Sequence, residues 1–215
     1  MSLIFEYAIY IIVIIILVLG IIMLAYRLFL IYFLRDPERK IPSGNVIVSP
    51  ADGKVIAVVK IENKDKIRIK KGFAGRISTF TDDIGKGPFT AVSIFMSPMD
   101  VHVNRSPIQG RVVSIKHSKG KFYGAMKPEA FENEKTETVL DTKIGRIKII
   151  QIAGFLARRI ETFINVGDNI RKGERIGIIK LGSQVTLIMP ADKVKINVKK
   201  GQRISAGSSI IGNIL

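Results

Sequence analysis

The sequence predicts a mainly β protein, a sandwich or barrel with a quasi-twofold internal repeat, carried behind one N-terminal transmembrane helix. Three observations lead there. Residues 7–26 run without a charge and consist mainly of Ile, Leu and Val. Beyond residue 45, short β-branched runs alternate with Gly, Pro, Asn and Asp at spacings of about 8–12 residues, as in all-β domains. Within that region two pairs of segments echo one another.

The first element is the stretch "YAIYIIVIIILVLGIIMLAY". About 20 apolar residues in a helix match the hydrocarbon thickness of a bilayer. Phe5, Tyr7 and Tyr10 sit at one end, and Tyr26, Phe29, Tyr32 and Phe33 at the other, as expected of interfacial aromatics. A basic leader and a small-residue cleavage site are both missing, so the segment does not read as a removable signal peptide. A helix this long and apolar on every side needs lipid or a large protein around it. Glu6 precedes the span, whereas Arg27, Arg35, Arg39 and Lys40 lie at its far end or beyond, so the positive-inside rule predicts a cell-membrane protein with its soluble part on the cytoplasmic side. The expected organisation is an anchor over 1–34, a turn-rich linker "RDPERKIPSG" over 35–44, and one domain over 45–215.

Charge narrows the partner. The chain of 215 residues carries a formal +16, and all but +1 of it lies beyond residue 40. Such a domain seeks anions. Behind a membrane anchor, anionic headgroups explain the charge at least as well as a nucleic acid does, and a Lys- and Ile-rich thermophilic composition is a further source of it. Phe73, Phe80 and Phe89 do not form the aromatic-basic pattern of an RNA-binding sheet, so no nucleic acid is expected. With no cysteine and two histidines, His102 and His117, the sequence argues against thiolate chemistry and predicts no metal site.

The strands follow in order: Val46–Val48, Val55–Val59, Ala91–Met96, Arg111–Ile115, Ile147–Ile152, Arg175–Lys180 and Val185–Met189. A short helix fits within Gly124–Glu134. "SPADGKVIAV" (49–58) matches "SPIQGRVVSI" (106–115). "VGDNIRKGERIG" (166–177) matches "VKKGQRISAGSSIIG" (198–212), so Gly167 and Gly173 recur as Gly201 and Gly207, where tight turns need positive φ. This pattern resembles the hammerhead strands of biotinyl/lipoyl-type β-sandwiches. An alternative function follows from it, a non-enzymatic carrier or adaptor, because "GAMKPEA" holds the Ala-Met-Lys of biotinylated domains around Lys127. Pro128 and the acidic "EAFENEKTE" replace the strand such a lysine needs, which favours a solvated lysine.

The stretch "KLGSQVTLIMP" (180–190) places Ser183 between two strand-like runs. It lacks the Gly-x-Ser-x-Gly elbow of hydrolases, because Val185 stands at the second glycine position. Asp52, His102 and Ser183 together contain the parts of a nucleophile–base–carboxylate set. Each also has a plain structural reading: Asp-Gly and Gly-Ser as turns, His102 as a packed strand residue.

Five blocks, "SPADGKV", "FMSPMDVHVNRSPIQGRV", "ENEKTETV", "QIAGFLARRI" and the late "LGS", occur in the order found in phosphatidylserine decarboxylases. The chain resembles the short branch of that family, which includes archaetidylserine decarboxylases, from about Ser43 to Leu215. The resemblance implies a proenzyme that cuts itself between Gly182 and Ser183, giving a β chain 1–182 and an α chain 183–215 that begins with a pyruvoyl group derived from Ser183. That group would form a Schiff base with a serine-headgroup phospholipid, take up the electrons released with carbon dioxide, and leave the ethanolamine lipid. Asp52 and His102 would serve the proton transfers. Arg105, Arg158 and Arg159 are candidates to hold the lipid phosphate. The implied partners are the phospholipid, the membrane, the two products of its own cleavage, and a second copy, since a fold rich in strand edges is compatible with a homodimer.

One departure bears on mechanism. Members with the motif Asp-Tyr-His-Arg-x-His carry a second histidine where this chain has Arg105, and arginine does not act as a base near neutral pH. His102 is then left to serve both cleavage and decarboxylation, or another group has taken one role. His117, in "SIKHSKG", reads as an exposed loop residue.

Overall fold

A computed structural model describes residues 2–61, 67–70, 76–79, 83–119, 134–153, 159–180 and 183–215. The chain divides into two compact units, Met1–Arg35 and Asp36–Leu215. The first contains helix α1 (Ser2–Phe33), whose apolar segment Phe5–Phe33 is long enough and apolar enough to cross a membrane. Its end is marked by Arg35, whose guanidinium lies 3.7 Å from the Tyr32 ring centroid and donates to Tyr32 O. The hydrogen bond supplies a donor to a carbonyl at the end of the helix, where intrahelical partners run out, and the cation–π contact holds the guanidinium over the ring.

Among the described residues the second unit is built of strands: β1 (Val46–Val48), β2 (Gly53–Ile61), β3 (Ile67–Lys70), β4 (Arg76–Thr79), β5 (Phe89–Met96), β6 (Val103–Arg105), β7 (Gly110–Ser118), β8 (Lys135–Thr142), β9 (Gly145–Ile152), β10 (Arg159–Thr162), β11 (Asn169–Ile170), β12 (Arg175–Lys180), β13 (Ser183–Pro190), β14 (Val194–Ile196), β15 (Arg203–Ile204) and β16 (Ile210–Ile214). Eight form one antiparallel sheet in the order β11-β7-β8-β9-β13-β5-β2-β15, curled as a half-barrel. Two three-stranded sheets, β1-β16-β14 and β10-β12-β6, and the hairpin β3-β4 complete the set.

The half-barrel has two apolar faces, because its central strands alternate apolar residues on both sides. Val92, Ile94 and Met96 of β5 join Val185, Leu187 and Met189 of β13 in the main core, closed by Ile47, Ile160, Ile179 and Ile211 from the small sheets. The opposite face buries Phe89, Ala91, Ile150, Ile152 and Ile188 with Ile84. Strand β13 is therefore buried on both sides from Ser183 to Met189.

The echoed segments make matched hydrogen bonds. Ser49 Oγ donates to Ala51 O (2.6 Å), and Ser106 Oγ donates to Ile108 O (2.7 Å). Gly207 N–H bonds Ser49 O as Gly173 N–H bonds Ser106 O, and Val55 N–H bonds Gln202 O as Val112 N–H bonds Asp168 O. β15 pairs with the start of β2 as β11 pairs with the start of β7, and each long strand bulges at the same place, Val55/Ala57 and Val112/Ser114. The four repeat glycines all have positive φ, from 73° to 101°. Gly53 and Gly110 are required for a further reason. A Cβ on either would lie 2.1 Å from Phe95 O or 2.6 Å from Asp141 O.

The segment that leads from α1 is tied to the β unit. Asp36 bridges Arg105 and Arg175, Arg39 pairs with Asp52, and the Ile41 side chain packs against the Gly173 and Gly207 turns. The expected short helix within Gly124–Glu134 lies outside the described residues, apart from Glu134 itself. His117 is exposed as expected but stands on β7 and not in a loop, with Nδ1 3.0 Å from Thr136 Oγ1 and Nε2 3.4 Å from Glu134. The β-branched residues of "VVSI" carry the strand further than its loop-like ending suggested.

Candidate active site

Ser183 opens β13 and is 1% exposed. Strand alternation turns it to the main-core face, directly across from Met96 on β5. Its Oγ lies 3.4 Å from Met96 Sδ, a weak acceptor. Asn104 Nδ2 approaches the same sulfur at 3.7 Å, and Gln151 Nε2 donates to Asn104 Oδ1 at 2.8 Å. Ser183 thus ends a chain of neutral, buried groups contributed by β5, β6 and β9. On the other side of β13, Gln184 Nε2 donates to Thr186 Oγ1, while its buried Oε1 has no hydrogen-bond partner among the described residues.

His102 is fully buried just before β6. The turn before it is built by Asp100, whose Oδ2 accepts from both the N–H and the Oγ of Ser97 at 2.7 Å. Asp100 O lies 2.8 Å from His102 Nδ1. A carbonyl only accepts, so Nδ1 carries the proton and Nε2 is the basic nitrogen of the neutral ring. The main chain of His102 is fixed to the strand leading toward Ser183, since Ile179 N–H donates to His102 O at 3.2 Å.

The Asp52 carboxylate accepts from Arg39 at 2.9 and 3.0 Å and from Ala206 N–H at 2.7 Å. The two acids meet indirectly on one turn: Arg203 bonds Asp100 Oδ1 at 3.1 Å, and Ala206 follows three residues later.

Arg105 is 5% exposed. Its guanidinium donates to Asp36 Oδ1 (2.6 Å), Gly173 O (3.1 Å) and Pro37 O (3.4 Å). Three of its donors are thus engaged by protein oxygens, Asp36 among them. Arg159 begins β10, is exposed, and lies across from Lys180, two residues short of Gly182. Lys180 Nζ bonds Glu161 at 2.7 Å; this bond and the charge behind it hold the Glu161 carboxyl below its usual range. Cations therefore line the approach to the end of β12. Gly182, Arg158 and Lys127 lie outside the described residues.

Sequence reasoning passed over Met96, Asn104 and Gln151. All three stand inside quoted blocks, "FMSPMDVHVNRSP" and "QIAGFLARRI", but a thioether and two amides carry no recognised acid–base signature. The signal available was polarity inside an apolar run: Gln151 interrupts "IKIIQIA".

A family model described as phosphatidylserine decarboxylase matches residues 26–212. The chain belongs to the phosphatidylserine decarboxylase family. It is 43% identical over 190 residues to the phosphatidylserine decarboxylase proenzyme of Chlorobium phaeobacteroides, covering 87% of this chain and 80% of that one. The corresponding proenzyme of Chlorobaculum tepidum is 39% identical over 192 residues, with 88% and 79% covered. A Methanocaldococcus jannaschii protein, provisionally named archaetidylserine decarboxylase proenzyme, is 44% identical over 189 residues, with 86% and 89% covered. The decarboxylase family match spans all five motif blocks and leaves only the first 25 residues and the last three outside it.

Proposed function

We propose that the protein is a self-processing decarboxylase of serine-headgroup phospholipids, phosphatidylserine or archaetidylserine, anchored by α1 at the cytoplasmic face of the cell membrane. Family membership supports this enzymatic reading over a carrier or adaptor. The observation that carries it is Ser183 itself, a buried serine opening the central strand of the half-barrel directly after Gly182. The matched turns at Gly167/Gly201 and Gly173/Gly207 support a quasi-twofold architecture of the biotinyl/lipoyl kind as its frame.

Maturation follows from the residues present. Ser183 Oγ attacks the Gly182 carbonyl carbon; the C–O bond forms as the Gly182–Ser183 C–N bond breaks, turning an amide into an ester. Loss of the Ser183 α-proton expels the Gly182 carboxylate by β-elimination. Hydrolysis of the resulting dehydroalanine releases ammonia and leaves chains 1–182 and 183–215, the latter beginning with a pyruvoyl group. His102 Nε2 is the proposed atom that takes and returns protons in both stages, because Asp100 O fixes the proton on Nδ1 and Arg105 is committed to Asp36. Asp52 is then a positioning residue, holding Arg39 and the 203–206 turn that also grips Asp100.

The surroundings of Ser183 fit an uncharged ketone: a thioether, two amides and the apolar end of the core, with no carboxylate bonded to it among the described residues. A pyruvoyl group at 183 supplies an electrophilic carbonyl that takes up the electron pair left when carbon dioxide departs. The chain's own part is to exclude water through the burial of β13, to hold protons at His102, and to receive the lipid phosphate at Arg159, with Arg158 beside it in sequence.

A denaturing intact-mass spectrum combined with a decarboxylation assay on phosphatidylserine in micelles tests the reading. Two chains, 1–182 and a 33-residue fragment with pyruvoyl in place of serine, are expected together with activity. Full activity in an uncut chain would overturn it.

A further inference from the structure

The half-barrel has a second cleft, at the end of β7 and β8 that corresponds to the Met96 end of β2 and β5. Gly110 and Arg111 stand to β8 and β11 as Gly53 and Lys54 stand to β5 and β15. In the half that carries Ser183, this position holds Met96 and the neutral chain already described. In the other half it opens into a cavity of about 580 Å³, whose polar lining comes from Gln109, Arg111, Asp141, Lys143, Asn169 and Lys172. That volume lies within the range of small-ligand sites.

The lining carries three cations against one carboxylate. Lys172 Nζ donates to Gly44 O at 3.0 Å and Lys143 Nζ to Asn45 Oδ1, so each ammonium spends one donor on a neutral oxygen and keeps the others. Asp141 is the cross-strand partner of Arg111, yet among the described residues it makes no ion pair with Arg111 or with either lysine. Among the described residues, then, no ion pair neutralises these cations, and the single Asp141 carboxylate stands against three positive charges. Burial, and then the charge of Lys143, push the Lys172 ammonium below the usual lysine range. Removing an ammonium from water beside a like charge is unfavourable. The charge of an anion between them would offset both effects.

We propose that this cleft is a second, non-catalytic binding site for a phosphate-bearing anion, held by Arg111, Lys143 and Lys172. Arg111 offers a planar fork suited to two phosphate oxygens, and the lysines offer rotatable point charges on either side. The amides of Gln109 and Asn169 add neutral donors. The same chemistry fits inorganic phosphate and the headgroup of an anionic phospholipid. The site does not depend on the decarboxylation reading, since none of its residues belongs to the Ser183 end.

The test uses amine acylation of the full-length protein in nanodiscs, followed by digestion and mass spectrometry of Lys172 and Lys143. Three arms are compared at matched ionic strength: neutral phosphatidylcholine discs with chloride, the same discs with inorganic phosphate, and phosphatidylglycerol discs with chloride. Only the neutral amine reacts, so an anion that raises the Lys172 pKa by one unit slows its acylation about tenfold. Lys195 and Lys200, outside the cleft, should react alike throughout. Slowing in the phosphate arm assigns the site to a soluble anion, and slowing in the phosphatidylglycerol arm to a lipid headgroup. In either case Arg111→Gln should abolish the protection while self-cleavage proceeds as before. Equal acylation of Lys172 in all three arms, or undiminished protection in Arg111→Gln, would overturn the proposal. The Ser183→Ala chain should respond as the wild type does, so the result is independent of processing.

Discussion

Ser183 and His102 are both buried, so their substitutions separate chemistry from packing only when the replacement keeps the shape. Ser183→Ala removes one oxygen whose described acceptor is a thioether, and should fold normally. It is expected to remain a single chain of 215 residues without decarboxylase activity, read by denaturing mass spectrometry. A cleaved mutant would refute the proposed chemistry. His102→Asn places an amide N–H where Nδ1 meets Asp100 O and deletes the basic Nε2. Self-cleavage should be impaired, and decarboxylation per processed chain should fall by about 10²–10⁴-fold, the usual worth of a general acid–base group, with folding intact by circular dichroism. Retention of full rate would move the proton transfers elsewhere. Glycines give a contrast of another kind. Gly53→Ala sets a Cβ 2.1 Å from Phe95 O at φ 139° and should cost at least about 3 kcal/mol. Gly145→Ala, with φ 94° but nothing nearer than 3.8 Å, should cost only the backbone strain of about 1–3 kcal/mol. Urea unfolding in the Ser183→Ala background measures both.

At the scale of elements, the segment 36–41 acts as a strap across the two repeat turns, through Asp36–Arg105, Arg39–Asp52 and Ile41. Arg105→Met keeps length and apolar stem but drops the bonds to Asp36, Pro37 and Gly173. A loss of about 1.5–3 kcal/mol per charged hydrogen bond removed is expected, partly offset because Asp36 still meets Arg175. If stability and processing are both unchanged, the strap is ornamental. This element also shows what sequence could and could not deliver. Val46–Val48 and Arg175–Lys180 were readable to the residue, because β-branched runs end at turn-forming neighbours. The start of β2 was not, since a positive-φ glycine and a lysine open it ahead of the apolar run. The pairing of Arg105 with Asp36, 69 positions away, leaves no local trace, and "RDPERKIPSG" looked like a free linker for that reason. Asp52 was legible as a special residue, but its partner Arg39 was hidden in the same linker. His102 and Ser183 were visible through the motif blocks, while Met96, Asn104 and Gln151 became visible only when β5, β6, β9 and β13 met.

For the whole molecule, the order β9-β13-β5 matters more than any single contact. β13 exchanges backbone bonds with β5 along its full length and with β9 over most of it, although both partners lie before residue 153. β15 and β16 likewise pair with β2 and β1. Strands that begin far apart in the chain are interleaved at the centre of one sheet, so the fold is assembled from long-range pairings, a topology that folds slowly. Every seam between residues 183–215 and the rest is an ordinary intramolecular seam in the uncut protein. After the proposed scission at 182–183 the same seams would join two separate polypeptides, and unfolding would change its molecularity: one native particle would give two denatured ones. The melting temperature of the mature protein should then rise with protein concentration, and refolding should slow on dilution, whereas Ser183→Ala should show neither effect. Calorimetry across a hundredfold dilution series distinguishes them. The cut would thus turn a self-sufficient chain into one that, once melted, must find its lost strand again.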